Sequence, residues 1–511
     1  MPLFLANLLW FLSALPDLLL FVLLLPFPHA AQRLALRRRT ASGAGEILFH
    51  EPTSGTTGPT KWIPFTPALK REFLAGINPW IALLFLRHPG LFWKKQYWSV
   101  SPVPSLRIPD GIKLKPDPTD DASYLSPLQR RVSRTIFCAP HGAGSIADPE
   151  KHAFLTLLAM LSARDLGLIS MWHPSYLLIL LDRAAEMSGK LAGALKTGDW
   201  GDGRTHEPAP DRAGEVLAAL ERRDFAALWR HLRVISCWDQ ARAAGDAARL
   251  RSMFPRVDVQ GKGLLATEGI VTLTWPDGRH VAASLSHTLH FRAYSESDDS
   301  SANDELIPLD RVRKGGVYTV FLSTGNGSEL YPLNDVVLCT GFLARNPCFD
   351  FLYRSGGVCD LRGEKLHTGQ AERLIAELER KFSLFSFAML IPSRTLDRYV
   401  FLYDSESPPD QIELADAIET ILKRNIYYND ARYKGQLKPV EVRFRHGAME
   451  SYRALRAGIS GGVKPPPLFL PPAIPPDARS SDENNTAFPD LWARLLELRS
   501  SVREKKAPAP K

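Results

Sequence analysis

The residues best suited to chemistry lie near the amino terminus, in residues 51–64, with the sequence EPTSGTTGPTKWIP. Glycines let the backbone approach a bound phosphate closely, and the hydroxyls of Ser54, Thr56 and Thr57 can donate to phosphate oxygens. Lys61 adds a positive charge. The spacing differs from the Walker pattern G-x-x-x-x-G-K-[ST], which argues against a P-loop kinase or NTPase. The segment predicts a phosphate-binding loop, and the alternative is a polar turn that happens to precede a lysine.

Residues 54–66 resemble the phosphate-binding signature of a known enzyme superfamily. SGTTG followed by Lys61 is similar to the motif of adenylate-forming enzymes, which include acyl-CoA synthetases, peptide-synthetase adenylation domains and luciferases. The continuation KWIPFT resembles one branch of that superfamily, the GH3 acyl-acid amido synthetases. The resemblance implies that ATP is bound by these residues: Ser54, Gly55, Thr56, Thr57, Gly58 and Lys61.

A second segment, residues 261–269 with the sequence GKGLLATEG, resembles the next motif of the same family. The resemblance implies that Thr267 lies against the nucleotide. It also implies that Glu268 acts in catalysis by holding Mg²⁺ against the ATP phosphates, and a carboxylate suits this hard cation. Read alone, one glutamate in a glycine-rich stretch favours a surface turn. Its position after Lys61 in the expected order is what supports the functional interpretation.

A third segment, residues 331–342 with the sequence YPLNDVVLCTGF, resembles the family pattern Y-R-x-G-D-V-V-x-V-T-G-F. The resemblance implies that Asp335 accepts hydrogen bonds from the ribose hydroxyls. Arg354, followed by GEKL at 363–366, matches the hinge between the two domains of these enzymes and joins the predicted ATP site. Two positions depart from the pattern. Asn334 replaces glycine, which asparagine can do because it tolerates left-handed geometry, and Pro332 replaces an arginine.

A fourth segment, SGGVKP at 460–465, resembles the carboxyl-terminal G-Q-x-K-x-P-R motif. The resemblance implies that Lys464 is a catalytic residue that neutralises charge developing on the α-phosphate and the carboxylate. The final arginine of the motif is absent. Read alone, a lysine before three prolines indicates a loop.

The four motifs together imply an α/β adenylate-forming ligase that uses ATP and Mg²⁺. A carboxylic acid would react with ATP to give an acyl-adenylate and pyrophosphate, and an amine, with an amino acid as the expected acceptor, would displace AMP to give an amide. One alternative is an acyl-CoA synthetase, which forms the same adenylate but uses a thiol acceptor. Another is a catalytically degenerate, membrane-associated relative, for which Pro332 and the missing arginine argue.

The length and composition fit a globular protein of several domains. The chain has 511 residues, 45% of them hydrophobic and 23% charged, which excludes disordered, collagen-like and multi-pass membrane classes. Helical periodicity predicts helices at 154–164, 213–232 and 371–382, and Thr368 is the predicted cap of the last. An apolar run lies at 176–181, and strand-like runs lie at 270–275, 288–294 and 317–323. We predict an apolar amino-terminal segment at 1–40, a large ATP- and acyl-binding domain at 41–358, an α+β lid at 359–470 and a Pro-rich linker with a basic tail at 471–511.

The charge and the cysteines limit the partners and the compartment. The net charge of +8 would suit an anionic ligand or membrane surface. The basic residues are scattered, without an RNA-binding or zinc-finger pattern, so nucleic acid is not an expected partner. Five cysteines without a C-x-x-C pair favour a reducing, cytoplasmic compartment over a disulfide framework. His287 and His290 are predicted to be packing residues rather than metal ligands.

The amino-terminal segment supports two interpretations. Residues 3–25 are dominated by Leu, Phe and Val, and their number matches one membrane span. The favourable transfer of the leucines roughly offsets the cost of Asp17, and the arginines that follow favour a cytoplasmic position for the rest of the chain. Residues 1–28 are therefore a candidate membrane anchor. The alternative is a pair of apolar helices, split at Pro16 and packed on the large domain.

Overall fold

The structure, a computed structural model, describes residues 1–40, 45–53, 61–99, 111–113, 124–140, 143, 146, 148–240, 243–294, 305–355, 357–382, 385–393, 396–449, 452 and 468. The predictions for Ser54, Gly55, Thr56, Thr57, Gly58 and Lys464, and for the tail at 471–511, fall outside these residues.

Helices dominate the first half of the described chain, and three more lie in the second half. The helices of the described residues are α1 Leu3–Leu24, α2 Pro28–Thr40, α3 Pro67–Arg87, α4 Pro127–Ile136, α5 Pro149–Ser162, α6 Pro174–Glu186, α7 Ser188–Thr197, α8 Pro210–Glu221, α9 Phe225–Leu228, α10 Ala244–Met253, α11 Thr368–Lys381, α12 Gln411–Leu422 and α13 Ile426–Tyr433. Several begin at a proline, whose missing N–H is not needed in the first helical turn. In α3 to α6 that proline follows a side chain that accepts from a backbone N–H of the first turn: Thr66, Ser126, Asp148 and His173.

The strands form three main sheets and several short pairs. They are β1 Phe49–Thr53, β2 Lys61–Phe65, β3 Lys95–Trp98, β4 Leu166–Ser170, β5 Val234–Ser236, β6 Asp258–Gln260, β7 Leu265–Ala266, β8 Gly269–Ile270, β9 Thr272–Thr274, β10 His280–Ala282, β11 Thr288–Ala293, β12 Ile307–Pro308, β13 Val317–Ser323, β14 Tyr331–Leu343, β15 Asn346–Arg354, β16 Val358–Cys359, β17 Leu366–His367, β18 Phe387–Ser393, β19 Arg398–Asp404 and β20 Glu441–Phe444.

The first sheet is parallel and has the order β3-β4-β5-β6. Strand β4 is buried at every position, as expected for a parallel strand covered on both faces by helices. The second motif begins at residue 261, directly after β6, so it leaves the sheet at the carboxyl edge. Ligands of open parallel sheets bind at this edge.

The second sheet is antiparallel at every pairing, with the order β12-β11-β13-β14-β15-β10-β9. Its long central strands β14 and β15 carry the third motif and Arg354. Residues of the motif and of the predicted hinge are thus paired across a single ladder.

The third sheet, β18-β19-β20, lies within the predicted lid. Strands β19 and β20 are parallel, and α12 and α13 lie between them in the sequence. A separate apolar core joins this sheet to α11 and α12, and it includes Leu374, Phe401, Ile418 and Leu468. The domain boundaries at 358 and 470 stay predictions.

The amino-terminal helices pack on the rest of the chain. One face of α1 is buried against α3 and α4, and Trp10 and Phe21 are fully enclosed. The predicted split at Pro16 is wrong, because α1 continues through this residue to Leu24. Pro16 is exposed, and the contacts that both halves of α1 make with the domain hold the helix together despite the missing backbone hydrogen bond.

The α/β fold class is confirmed, and most predicted elements are present. The apolar run at 176–181 lies inside helix α6, because buried strands and buried helices have the same continuous apolar sequence. The helix predicted at 213–232 is interrupted after Glu221, and Asp224 caps a second short helix. Thr368 is the first residue of α11 rather than its cap, which is His367.

Candidate nucleotide site

A hairpin presents the lysine of the first motif. Strands β1 and β2 pair with Lys61 opposite Thr53, at the end of the hairpin where the predicted phosphate loop joins them. The Lys61 ammonium donates to the Tyr331 hydroxyl over 3.2 Å and lies 5.2 Å from the centre of the Tyr331 ring. Residues 61 and 331, which are 270 positions apart, are therefore in direct contact.

A tight turn presents the second motif. Strands β7 and β8 pair at Ala266 and Gly269, so Thr267 and Glu268 occupy the tip of the turn. Glu268 is buried. Burial raises the pKa of the nearby Tyr331 hydroxyl, and the charge of Glu268 raises it further, whereas Lys61 lowers it. Glu268 and Lys61, which belong to two different motifs, thus both shift the pKa of Tyr331.

The third motif forms a buried ion pair. Asp335 in β14 lies opposite Arg354 in β15, with 3.4 Å between the carboxylate and the guanidinium. Burial raises the pKa of Asp335, and Arg354 and Lys365 oppose this effect. Burial acts to lower the pKa of Arg354, but Asp335 and Glu268 outweigh it, so this pKa is raised. The Arg354 Nε atom is buried and has no hydrogen-bond partner among the described residues, so it is a donor suited to a bound anion.

The two departures from the family pattern have different structural consequences. Asn334 adopts φ +60°, which confirms that the left-handed geometry favoured by glycine is kept here. Its carbonyl accepts from the Ser355 N–H over 2.7 Å, which links the motif to the end of β15. Pro332 is exposed and lies opposite Phe321.

The segment after Arg354 connects the large domain to the predicted lid. The guanidinium of Arg362 pairs with Asp246 of α10 at 2.7 Å and with Asp397 of the predicted lid at 2.5 Å. Glu364 is buried and accepts from the Tyr399 hydroxyl and from two backbone N–H groups. Burial, followed by the charge of Asp360, raises the pKa of Glu364. The hinge that the sequence places in this segment stays a prediction.

Three residues of the predicted lid complete the cluster, and sequence reasoning gave them no role. The Tyr427 hydroxyl lies 3.5 Å from Thr267 Oγ1, and the Lys365 ammonium lies 5.2 Å from the centre of the Tyr427 ring. Burial lowers the pKa of His367 to about 4, helped by the charges of Arg354, Lys365 and Lys61. Lys365 stands in the GEKL segment and was a detectable candidate. Tyr427 lies in none of the four motifs, so the sequence did not indicate it.

A buried carboxylate supports the turn of the second motif. Glu72 of α3 accepts from the Gly325 N–H over 2.7 Å, and the same oxygen lies 3.0 Å from His287 Nδ1. The other ring nitrogen of His287 lies beneath Gly269, where an added Cβ would come within 2.6 Å of it. His287 therefore packs below the turn that carries Glu268.

Burial, followed by the charge of Arg39, lowers the pKa of His290.

The structure thus brings together five predicted site residues from three motifs and the hinge: Lys61, Thr267, Glu268, Asp335 and Arg354. Lys464 lies outside the described residues. Leu468, four positions later, forms a parallel bridge with Leu390 of the third sheet.

Comparison with known families gives two matches, and these contain the first and third motifs. The GH3 family N-terminal domain matches residues 38–259, and the GH3 family central domain matches residues 285–354. Together the two matches cover more than half of the chain. The chain belongs to the GH3 family. The central-domain match of this GH3 protein ends at Arg354, so it contains the third motif and its ion pair.

Solved structures show the same fold as this GH3 protein. A GH3.15 acyl acid amido synthetase is 17% identical, with a TM-score of 0.51, over 84% of this chain and 80% of that chain. AtGH3.15 acyl acid amido synthetase in complex with 2,4-DB is 18% identical, with a TM-score of 0.54, over 85% of this chain and 83% of that chain. No curated protein sequence matches the chain.

Proposed function

We propose that the chain is an acid–amino acid ligase that forms an acyl-adenylate from ATP and a carboxylic acid and passes the acyl group to an amine. The observation that carries this proposal is the convergence of Lys61, Glu268 and the Asp335–Arg354 pair in one cluster of a GH3 protein. The acceptor is proposed to be an amino acid, on the resemblance of the motifs to the amido synthetases of this family.

The charges of the cluster suit the parts of ATP. Lys61 and the predicted loop of Ser54, Gly55, Thr56, Thr57 and Gly58 would bind the phosphates. Asp335 would accept from the ribose hydroxyls, and Arg354 would balance its charge and offer Nε to an anion. Thr267 would lie against the nucleotide. Glu268 fits Mg²⁺ because its carboxylate is a hard oxygen ligand beside the lysine of the phosphate loop, and when bound the ion would screen the phosphate charge.

The reaction would run in two steps. In the first, a carboxylate oxygen of the acid attacks the α-phosphorus of ATP and pyrophosphate leaves, with Lys464 neutralising the charge that develops. In the second, the amine nitrogen attacks the acyl carbon, the bond to AMP breaks and the nitrogen loses a proton. The contact between Thr267 and Tyr427 joins the large domain to the predicted lid, so a lid rotation between the two steps would break it.

The partners follow from this chemistry. One relative binds 2,4-DB, a carboxylic acid, in its solved structure, which supports an acid substrate for this chain.

We place the protein in the cytoplasm, with membrane association through residues 1–28. Helix α1 is long and apolar enough to cross a membrane, which by length and composition alone is weak support.

Exchange of labelled pyrophosphate into ATP in the presence of a panel of carboxylic acids tests the proposal. At least one acid is expected to support exchange that requires Mg²⁺. Glu268→Gln should require more Mg²⁺, whereas Glu221→Gln on an exposed surface of α8 should behave as wild type.

Product analysis then identifies the acceptor. An amide with an amino acid supports the proposal, and a thioester with coenzyme A instead makes the protein an acyl-CoA synthetase. No exchange with any acid, from protein that melts cooperatively, would make it a degenerate relative.

A further inference from the structure

The outer face of α1 is an exposed apolar stripe. Leu5, Leu12, Leu19 and Leu23 follow one another at 7, 7 and 4 residues, which places them on one side of the helix. The last three are 49%, 61% and 67% exposed. The opposite side holds the residues that enter the core: Ala6, Trp10, Ala14, Leu18 and Phe21. From residue 5 to residue 23 the stripe is about 27 Å long.

A second element extends this stripe. Trp93, in the 3-10 turn Pro89–Trp93, is 56% exposed, and its ring stacks on Phe4 of α1 with 4.9 Å between the ring centres. Phe4 itself is partly exposed. We call these residues the apolar patch: Phe4, Leu5, Leu12, Leu19, Leu23 and Trp93. The patch is built by two separate parts of the chain, so it belongs to the folded domain and not to α1 alone.

Two polar side chains fix α1 to the domain. The Asn7 side-chain amide donates to the carbonyls of Phe92 and Lys94 at 3.2 and 3.1 Å and accepts from Gln96 at 3.1 Å. The Asp17 carboxylate accepts from Asn78 over 2.7 Å. A helix that crossed a bilayer would break these bonds and leave the polar groups without partners, which is costly in hydrocarbon. These bonds therefore favour α1 lying on the surface of the domain over α1 crossing a bilayer.

The charged residues that flank the patch in the sequence are mostly positive. Within residues 1–40 the only acidic side chain is Asp17, which is bonded to the buried Asn78, whereas Arg33 and Arg37 of α2 are exposed. Lys94 directly follows Trp93 at the other end. Leucines between cationic flanks and an indole ring suit the boundary between acyl chains and anionic headgroups. A second copy of the chain would bring the same cations against each other.

We propose that the apolar patch docks on an anionic membrane with α1 lying in the plane of the interface. The inference deepens the membrane association proposed above by naming the surface, its orientation and the charge of the lipid. It is independent of the ligase reaction, because the patch shares no residue with the nucleotide site.

Co-sedimentation with vesicles tests this docking. Wild-type protein should bind vesicles of phosphatidylcholine and phosphatidylserine, bind phosphatidylcholine alone less, and be released by high salt or alkaline carbonate. The double variant Leu12→Glu/Leu19→Glu should bind the anionic vesicles about tenfold more weakly or less. Arg33→Gln/Arg37→Gln should lose mainly the preference for anionic lipid. Ile412→Glu is the matched control, because Ile412 is 75% exposed on α12 of the predicted lid and should leave vesicle binding unchanged.

Three outcomes would overturn the proposal. The first is wild-type protein that does not bind anionic vesicles, and the second is a double variant with the same melting temperature that binds as strongly as wild type. The third is a dimer without vesicle affinity that becomes a monomer in the double variant, since a second copy would then cover the patch. Pyrophosphate exchange measured on the same samples separates these results from a failure of the proposed ligase function.

Discussion

At the scale of single residues, the candidate nucleotide site depends on charges that are held close together but come from distant parts of the sequence. Lys61 contacts Tyr331, whose hydroxyl also responds to Glu268, and Arg354 balances Asp335. Each charge is partly buried, so its interactions are screened less than those of a surface ion pair. Removal of one charge should therefore affect nucleotide use more than it affects folding.

Replacement of Lys61 by alanine should lower pyrophosphate exchange roughly a hundredfold, because a positioned cation on a phosphate is worth about 3 kcal/mol. Lys61→Arg should recover part of the loss. Lys196→Ala, at an exposed position of α7, is the control. Wild-type exchange in folded Lys61→Ala protein would show that the phosphates bind elsewhere.

Lys464 is expected to serve only the first half-reaction. Lys464→Ala should reduce pyrophosphate exchange by about a hundredfold and leave aminolysis of a supplied acyl-adenylate nearly unchanged, because the charge it neutralises develops when the acid attacks. Lys438→Ala, an exposed lysine of the predicted lid, should alter neither step. Equal losses in both half-reactions would indicate a lid that cannot close.

At the scale of elements, side chains that cross between helices and strands determine how the parts are joined. Asn7 bridges α1 to the turn before β3, and Arg362 bridges α10 to the predicted lid. In both cases one side chain satisfies several partners. Loss of Asn7 leaves buried polar groups without hydrogen bonds, which costs more than the bond itself contributes.

Asn7→Leu should lower the free energy of unfolding by about 2 kcal/mol, although leucine is more apolar and favours a helix. The reason is that the Phe92 and Lys94 carbonyls and the Gln96 amide would lose their partner. Chemical denaturation measures the change. Ser13→Ala, which removes only a bond within α1, should cost much less. A stabilised Asn7→Leu protein would contradict the packing described for α1.

Arg362→Gln should loosen the predicted lid. It removes ion pairs to Asp246 and Asp397, so small-angle scattering should show a larger radius of gyration, and the stability should fall by about 1–3 kcal/mol. Arg249→Gln on the exposed side of α10 is the control. An unchanged scattering curve would mean that other contacts fix the lid, such as the 2.5 Å bond from the Tyr433 hydroxyl to the Ile146 carbonyl.

At the scale of the whole molecule, buried histidines lie where the large domain meets the predicted lid. His152 packs against Tyr433, and His173 caps α6 next to Ser175, which accepts from Gln436. Burial, followed by neighbouring cations, lowers the pKa of His152 to about 4 and that of His173 to about 3. Both side chains are therefore neutral in the folded protein at pH 7.

Acid should destabilise this contact. As the pH falls from the ordinary histidine pKa of 6.5 towards 4, the unfolded chain binds protons at His152 and the folded chain does not, so the free energy of unfolding decreases. The slope is at most about 1.4 kcal/mol per pH unit for each histidine. Glu364, whose pKa is raised, acts in the opposite direction, so the comparison between variants is the measurement.

Denaturation at pH 7 and pH 5 should show a smaller pH dependence for His152→Gln than for wild type. His446→Gln, at an exposed histidine, should match wild type. Equal pH dependence in all three proteins would show that His152 is not kept neutral by its surroundings.

The sequence by itself determined the family, the α/β class and the order of the motifs, because phosphate binding requires particular residue types at short, fixed spacings. It also anticipated the left-handed Asn334, since the conformation of one residue depends mainly on that residue. The sequence also predicted elements with clear periodicity, such as β13 and α11, because periodicity depends only on residues that are close in the sequence.

Only the tertiary structure decided which distant residues meet. The sequence could not assign Tyr427 to the candidate nucleotide site, because its contact with Thr267 spans 160 positions. Nor could it show that α6 is a helix or that α1 passes through Pro16, because an apolar run suits either a buried strand or a buried helix, and packing makes the choice. The same reason applies to the amino terminus. Its apolar composition allowed a membrane span or a packed helix, and the bonds of Asn7 and Asp17 to other elements are what hold α1 against the domain.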